Sequence, residues 1–302
     1  ITYKTAYLKA NYPAEYLSAC MTAESGDIET CAEYINEAKR MGFEILPPNV
    51  NESYSEFTVV VENEIVTDKI RFGMNNIKNF GYEIGKAIIS ERKANGKFTS
   101  IDNFIERIKK KNLNKKSMEA LIQSGALDDF GERNQLMHNL EKILEHRKSI
   151  GANTEQTSLF SLGLESRAMQ LEPCEPATQK QKLDWEKELL GLYISGHPLD
   201  KYDGKSSLTI KDIIDSAKRN TVVKLVVLPI SYRKIFTKNN DQMAFVKIED
   251  KTGSIEAVVF PKNFKEFFPV IEKGEPIGVA GKVTLRNDEK SIIIEAVKAL
   301  DT

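Results

Sequence analysis

The chain has 302 residues, a net charge of −1, and 41% apolar and 29% charged residues. These values are typical of a soluble globular protein that is long enough for two or three domains with their own cores. No apolar run approaches the ~20 residues that a membrane helix needs, so we expect no membrane partner. The three cysteines form no CxxC pair, which argues against a disulfide framework or a zinc site and predicts a cytoplasmic protein. The three histidines have no partner at metal-binding spacing, so we predict no metal site.

The first 70 residues are predicted to form three helices and a small β-hairpin. Pro13 suits the first turn of the second helix. Residues 57–66 are rich in β-branched side chains and predict the hairpin, with its turn around Glu62-Asn63. This part holds twelve Asp and Glu against five Lys and Arg, which is typical of a solvated exterior, and it contains no catalytic constellation.

Two helical hairpins are predicted between residues 71 and 125. The first consists of two short helices joined by a turn at Asn79-Phe80-Gly81. Ser100 and Asn114 are predicted N-caps of the helices that follow them, and a further helix is predicted over residues 132–150. Helix starts of this kind expose backbone N–H groups with partial positive charge, which can hold a phosphate. An ordinary helical hairpin with a glycine turn is the alternative.

The charge of this region favours the first of these interpretations. Residues 71–120 hold twelve Lys and Arg against five Asp and Glu, a balance of +7, whereas residues 1–70 have a balance of −7. One concentrated basic segment in a nearly neutral chain is typical of local polyanion binding, although a solvated helix face accounts for part of it. Lys115 and Lys116 oppose the dipole of the helix that they begin, which is easier to understand if a phosphate binds there.

A polar segment with little periodicity follows at residues 151–182 and is predicted to be a linker or surface loop. Within it, Leu159 and Phe160 are two adjacent large apolar residues. They either pack back onto the domain or dock into a partner as a short extended peptide. On the residues alone, packing back is the favoured alternative.

The C-terminal part changes to the period of strands. Strands are predicted at 222–232, 242–250, 254–260, 277–285 and 290–297, with a helix from Pro261 to Ile271 after the third. Five strands with a helix after the third are the order of an OB-fold, a barrel that binds nucleic acid on one face.

Aromatic and basic residues are interleaved on the first hairpin of this barrel. Such residues suit base stacking and phosphate attraction on single strands, although aromatic strand residues are more often part of a core. The residues concerned are Tyr232, Arg233, Lys234, Phe236, Lys238, Phe245 and Lys247.

Several motifs give the chain a resemblance to a known family. Residues 7–17 read Tyr-Leu-Lys-Ala-Asn-Tyr-Pro-Ala-Glu-Tyr-Leu, residues 41–48 read Met-Gly-Phe-Glu-Ile-Leu-Pro-Pro, and residues 188–198 read Glu-Leu-Leu-Gly-Leu-Tyr-Ile-Ser-Gly-His-Pro. With these motifs and residues 115–128, the chain resembles, nearly end to end, the C-terminal part of the alpha subunits of bacterial DNA polymerase III, the C-family replicative polymerases.

The resemblance implies a multidomain α+β fold, in which an all-α remnant of the fingers and a helix-hairpin-helix domain precede a β-barrel OB-fold. We predict five segments: the end of the fingers with its small β-hairpin at 1–70, the helix-hairpin-helix domain for duplex DNA at 71–150, the linker at 151–182, a helical connector at 183–220 and the OB-fold at 221–302.

The resemblance also implies roles for single residues. The duplex behind the primer terminus would be gripped by Lys78, Asn79, Phe80, Gly81, Lys115 and Lys116, and the single-stranded template would meet the barrel hairpin. The β sliding clamp would bind a peptide anchored by Gln156, Ser158, Leu159 and Phe160, which overrides the preference for packing back. Asn79 and Glu83 stand where the family often has glycine, and Glu83 adds a negative charge near the expected phosphate.

For the full-length protein the resemblance implies a DNA-directed DNA polymerase, whose catalytic aspartates and two Mg²⁺ ions would lie in a palm domain upstream of residue 1. We find no carboxylate pair for two metals here, so we expect no catalytic residue, no cofactor and no polymerisation by this chain alone. The expected partners are primed duplex DNA, single-stranded template, the β sliding clamp and other subunits of the DNA polymerase III holoenzyme. A free-standing helix-hairpin-helix/OB accessory or repair protein and a helical interaction scaffold are the alternatives.

Overall fold

The computed structural model describes residues 2–108, 113–153, 169–286 and 289–300. Two compact units divide the chain, Ile1–Ser195 and Gly196–Thr302. The predicted clamp-binding peptide, residues 156–160, lies outside the described residues. Among the helices that are described, none combines the length and the apolarity needed to cross a bilayer.

The first unit begins with three helices and a small sheet. The helices are α1 (Thr2–Asn11), α2 (Pro13–Ala23) and α3 (Ile28–Arg40), and the strands are β1 (Glu44–Leu46), β2 (Thr58–Glu62) and β3 (Ile65–Arg71). The predicted hairpin is confirmed as β2 and β3, which turn at Asn63 and Glu64, both with positive φ. The sequence did not indicate β1, which pairs in parallel with β3.

Six further α-helices lie in the described part of this unit. They are α4 (Tyr82–Asn95), α5 (Ile101–Arg107), α6 (Lys115–Gln123), α7 (Arg133–His138), α8 (Leu140–Asn153) and α9 (Gln179–Leu190). The helix predicted before Asn79 is only one 3-10 turn, Met74–Asn76. The single helix predicted over 132–150 is wrong, because α7 and α8 are separated at Asn139. The side chain of Asn139 exchanges two hydrogen bonds with the backbone of Glu172, of 3.0 and 2.8 Å.

One apolar core runs through the first unit. It joins residues of α2 and α3, such as Leu17 and Ile35, to residues of the helical hairpins, such as Ile88 and Phe104. The fully buried Phe104 packs edge-on against Phe98, with ring centroids 5.1 Å apart. Truncation of such a side chain to alanine typically costs about 3–5 kcal/mol, so the hairpin helices are held by this shared core.

The second unit contains a closed barrel. After α10 (Ile210–Ser216) come β4 (Val222–Phe236), β5 (Gln242–Asp250), β6 (Gly253–Val259), α11 (Pro261–Ile271), β7 (Ile277–Arg286) and β8 (Glu289–Ala299). The strands close in the order β4-β5-β6-β8-β7, with β6 and β8 parallel. The predicted OB-fold is therefore confirmed, and with it the multidomain α+β class.

Strand β4 pairs with two different strands along its length, and it contains a bulge. Its first half, Val222–Val227, pairs with β7, whereas Leu228–Phe236 pairs with β5, and the register shifts between Pro229 and Ser231. Proline cannot donate to a strand ladder and is tolerated at such a bulge. Strand β4 continues to Phe236, beyond the predicted end at residue 232.

Candidate nucleic-acid interface

The first helical hairpin turns at Asn79, whose φ of +65° lies in the left-handed region. Asparagine tolerates this conformation better than most residues other than glycine. Phe80 is buried and packs against Gly85, where an added Cβ would lie 3.2 Å from Cε1 of Phe80. Gly85 therefore allows α4 to lie close to the turn, while Lys78 and Asn79 remain exposed.

The start of α4 is open to a ligand. Gly81 is its N-terminal flanking residue and makes no side-chain cap, and Gly81, Tyr82 and Glu83 are all exposed. Within the described residues, the amides of these three residues have no hydrogen-bond acceptor. Three unsatisfied N–H groups at the positive end of a helix are suited to a phosphate oxygen. Glu83, in the first turn, opposes such an anion.

The second helical hairpin has a similar open start at α6. The predicted caps are confirmed: the Ser100 hydroxyl accepts a hydrogen bond from the Asn103 amide at 3.1 Å, and Asn114 Oδ1 accepts one from the Ser117 amide at 2.9 Å. The amides of Lys115 and Lys116 have no acceptor among the described residues, and both side chains are exposed. This helix start is thus capped by a neutral amide and stays accessible to a polyanion.

Lys115 has a partner within the protein. Its ammonium donates to Glu141 in α8, and this hydrogen bond raises the pKa of Lys115. The two side chains are 56% and 70% exposed, and an ion pair that is screened by solvent in this way adds little to the stability of a protein. A phosphate can therefore replace Glu141 at little cost.

The basic and aromatic residues of the barrel hairpin fall on two faces. Arg233 pairs in register with Phe245, and Tyr232 pairs with Val246, a residue of the barrel core. Tyr232 and Lys234 therefore share the core side of the hairpin, whereas Arg233, Phe245 and Lys247 share the outer side. Phe236 and Lys238 lie near the exposed end, where 62% of Phe236 is accessible.

The residues on the core side contact helix α11 and Glu272, the residue that follows it. The Tyr232 hydroxyl and the Lys234 ammonium both donate to Glu272, at 3.0 and 3.1 Å. These two hydrogen bonds lower the pKa of Glu272, and the bond to Glu272 raises the pKa of Tyr232. The Tyr232 ring packs edge-on against Phe268 at 4.9 Å, so this group is already packed within the barrel unit.

The residues on the outer side line a shallow depression of about 410 Å³. The Arg233 guanidinium lies 5.4 Å from the centre of the Phe245 ring, which is itself only 9% exposed. A cation over an aromatic face is a suitable platform for a base and its phosphate. The lining also includes Ser254, Ile255, Glu256 and Glu289 of strands β6 and β8. The sequence did not indicate these four residues, because only closure of the barrel places them beside the hairpin.

In the part of the chain that the structure describes, no group of three His, Cys, Asp or Glu side chains could hold a metal ion.

Family models agree with both parts of the fold. Residues 42–136 match a helix-hairpin-helix motif, and residues 223–300 match an OB-fold nucleic acid binding domain. The first match contains both open helix starts, and the second contains the whole β4–β5 hairpin.

Three curated proteins with similar sequences are each named DNA polymerase III subunit alpha. The protein of Borreliella burgdorferi is 37% identical over 98% of this chain and 26% of its own length. Those of Thermus aquaticus and Bacillus subtilis are 33% and 34% identical, over 100% and 98% of this chain. The chain spans about a quarter of the length of these relatives. The resemblance drawn from the sequence motifs is confirmed.

Proposed function

We propose that this chain, which is similar from end to end to a segment of bacterial DNA polymerase III alpha subunits, is the part of such a subunit that holds primed DNA. In this proposal the helical hairpins grip the sugar–phosphate backbone of the duplex, and the outer face of the barrel hairpin receives the single-stranded template. The full-length protein would be a DNA-directed DNA polymerase acting in the cytoplasm, together with the other subunits of its holoenzyme.

One observation carries the proposal for the duplex. The starts of α4 and α6 are both exposed, and both lie within the segment whose charge balance is +7. Exposed N–H groups bind phosphate without reading a base, and nearby lysines add attraction that does not depend on sequence. This combination suits a grip that must slide along any duplex.

Clamp binding is a further part of the proposal. It rests on the sequence Gln156-Thr-Ser-Leu-Phe160, in which Leu159 and Phe160 would fill an apolar pocket of the β sliding clamp. A tether to a ring that encircles DNA raises the effective concentration of the polymerase at the primer end, which would account for processive synthesis.

A titration at several salt concentrations tests DNA binding. We expect the chain to bind a primed duplex with a template overhang, and log K to fall with log salt with a slope of about −0.9 for each phosphate neutralised on the duplex. Binding without salt dependence, or no binding, would contradict the proposal and favour a helical interaction scaffold.

A primer-extension assay tests the expectation for catalysis. We propose that the catalytic aspartates and the two Mg²⁺ ions belong to a palm domain and that the segments described above do not supply them. We therefore expect no nucleotide incorporation by this chain alone, and robust incorporation would refute that assignment.

A further inference from the structure

The segment from Glu186 to Pro198, which includes the motif at residues 188–198, has no role in the DNA contacts proposed above. It contains the end of α9 and the boundary between the two compact units, which falls between Ser195 and Gly196. On each side of this boundary, backbone amides donate hydrogen bonds to a carboxylate of the same unit.

On the helical side, the carboxylate is that of Glu186, which is 0% exposed. One of its oxygens accepts a hydrogen bond from Arg133 Nη1 at 3.1 Å. The other accepts from the amides of Ile194 and Ser195, at 2.8 and 2.9 Å. A buried carboxylate is stable only when its oxygens are paired in this way, so the two amides are part of its stabilisation.

Local structure brings these amides back to the helix that carries Glu186. Helix α9 ends at Gly191, whose φ of +78° reverses the chain direction. The carbonyl oxygen of Tyr193 then accepts a hydrogen bond from Lys39 at 3.2 Å. The centre of the Tyr193 ring lies 4.9 Å from the Lys187 ammonium. The last residues before the boundary are thus fixed to the helical unit.

Arg133 is itself held firmly. It is 4% exposed and donates to Asp128 as well as to Glu186. Burial lowers its pKa, but the two carboxylates outweigh this effect and raise the pKa above its usual value. Gly125 has a φ of +83°, which favours glycine, and an added Cβ there would lie 2.3 Å from Arg133 Nη2 and would displace the guanidinium.

On the barrel side, the carboxylate is that of Asp200. It accepts a hydrogen bond from the His197 amide at 2.6 Å, and His197 Nδ1 accepts one from the Leu199 amide at 3.1 Å. Lys251, between β5 and β6, pairs with Asp200 at 2.5 Å and with Asp203 at 2.7 Å. The first residues after the boundary are thus fixed to the barrel unit.

We propose that Glu186 and Asp200 anchor the two sides of the junction and confine its motion to Gly196. Only Gly196 separates the anchored amide of Ser195 from that of His197, and glycine has the widest freedom in φ and ψ. Pro198 further restricts His197 to extended conformations. The consequence of these anchors for DNA binding rests on the function proposed above.

Amide hydrogen exchange on the full chain tests the anchors. In Glu186→Gln we expect the amides of Ile194 and Ser195 to exchange at least about tenfold faster, because a charge-assisted acceptor is lost. The matched control is Glu188→Gln, an exposed residue of the same helix, which should leave both rates unchanged. The exchange rate of the Phe104 amide, which lies in the core, should stay unchanged if Glu186→Gln releases only the two junction amides. It should rise if the variant unfolds the helical unit.

A second variant avoids the buried site altogether. The Asp200 side chain is 52% exposed, so Asp200→Asn should fold normally, and the His197 amide should exchange faster because its acceptor loses the negative charge. Asp203→Asn removes a partner of Lys251 but no backbone bond of the junction, and it should leave that amide protected. Unchanged exchange in both Glu186→Gln and Asp200→Asn, or equal acceleration in the controls, would overturn the anchors.

Two DNA substrates extend the test to binding. Release of the junction in Glu186→Gln should weaken binding of a primed duplex with an overhang by about tenfold and leave binding of a blunt duplex unchanged, because only the former engages both units. Equal binding of the primed duplex by the variant and the wild type would contradict this consequence. If the wild-type chain binds neither DNA, the proposed function fails, whereas the exchange rates still decide the anchors.

Discussion

Asn114 Oδ1 accepts a hydrogen bond from the Ser117 amide at 2.9 Å, and this cap leaves the amides of Lys115 and Lys116 without an acceptor among the described residues. A neutral cap satisfies one donor of the helix start and adds no negative charge that would repel an anion. The helix therefore begins in a form that is stable without DNA and remains able to bind a phosphate.

Charge reversal at this helix start should weaken duplex binding. In the double variant Lys115→Glu with Lys116→Glu, we expect the slope of log K against log salt to become shallower by about 1.8, because two phosphate contacts are lost. Lys4→Glu, which changes an exposed lysine of α1, is the control. An unchanged slope in the double variant would remove these lysines from the interface.

Removal of the negative charge at the start of α4 should have the opposite effect. Glu83→Gln is expected to strengthen duplex binding by about fivefold, because a surface charge near a phosphate is worth about 1 kcal/mol. It should also lower the free energy of unfolding by about 0.3–1 kcal/mol, because a first-turn carboxylate favours the helix dipole.

Glu15→Gln provides the matched control for that experiment, since Glu15 is a first-turn carboxylate of α2. This variant should lose similar stability in thermal unfolding without any gain in duplex affinity. Weaker duplex binding by Glu83→Gln would mean that the start of α4 does not meet a phosphate.

The two faces of the barrel hairpin should differ in single-strand binding. Arg233→Ala is expected to lower the affinity for an oligonucleotide by about tenfold, because it removes the cation from the platform that Arg233 forms with Phe245. Lys234→Ala, next in the chain but bonded to Glu272 on the other face, should change the affinity by less than about twofold. Equal losses in fluorescence anisotropy would contradict the assignment of the outer face.

The clamp peptide has its own test. Leu159→Ala with Phe160→Ala should abolish capture of the β sliding clamp in a pull-down, because both apolar anchors are lost. Leu162→Ala with Leu164→Ala changes two nearby apolar residues of the same segment and should leave capture intact. Capture that survives the first pair of substitutions would remove the peptide assignment.

Features set by local sequence were predicted well. The caps at Ser100 and Asn114 and the helix Pro261–Ile271 depend on neighbouring residues, and all three are confirmed. The order of strands and helix in the barrel was also readable, because alternation and turn residues repeat along that part of the chain.

Features set by distant contacts were not predicted. The break at Asn139 depends on the backbone of Glu172, and β1 depends on a parallel partner in β3. In β4, Val227 lies in the barrel core, so strict alternation would place Arg233 on the core side as well. After the bulge, Tyr232 lies on that side instead. A shift of one residue exchanges the faces of a strand, so the sequence alone could not separate the two groups of the hairpin.

Phosphate contact at the two helix starts is best tested by nuclear magnetic resonance of the backbone amides during titration with blunt duplex DNA. We expect large chemical-shift changes at the amides of Gly81, Tyr82, Lys115 and Lys116, with saturation at one duplex per chain and reversal at high salt. Saturable duplex binding that leaves these four amides unperturbed would contradict phosphate binding at the helix starts.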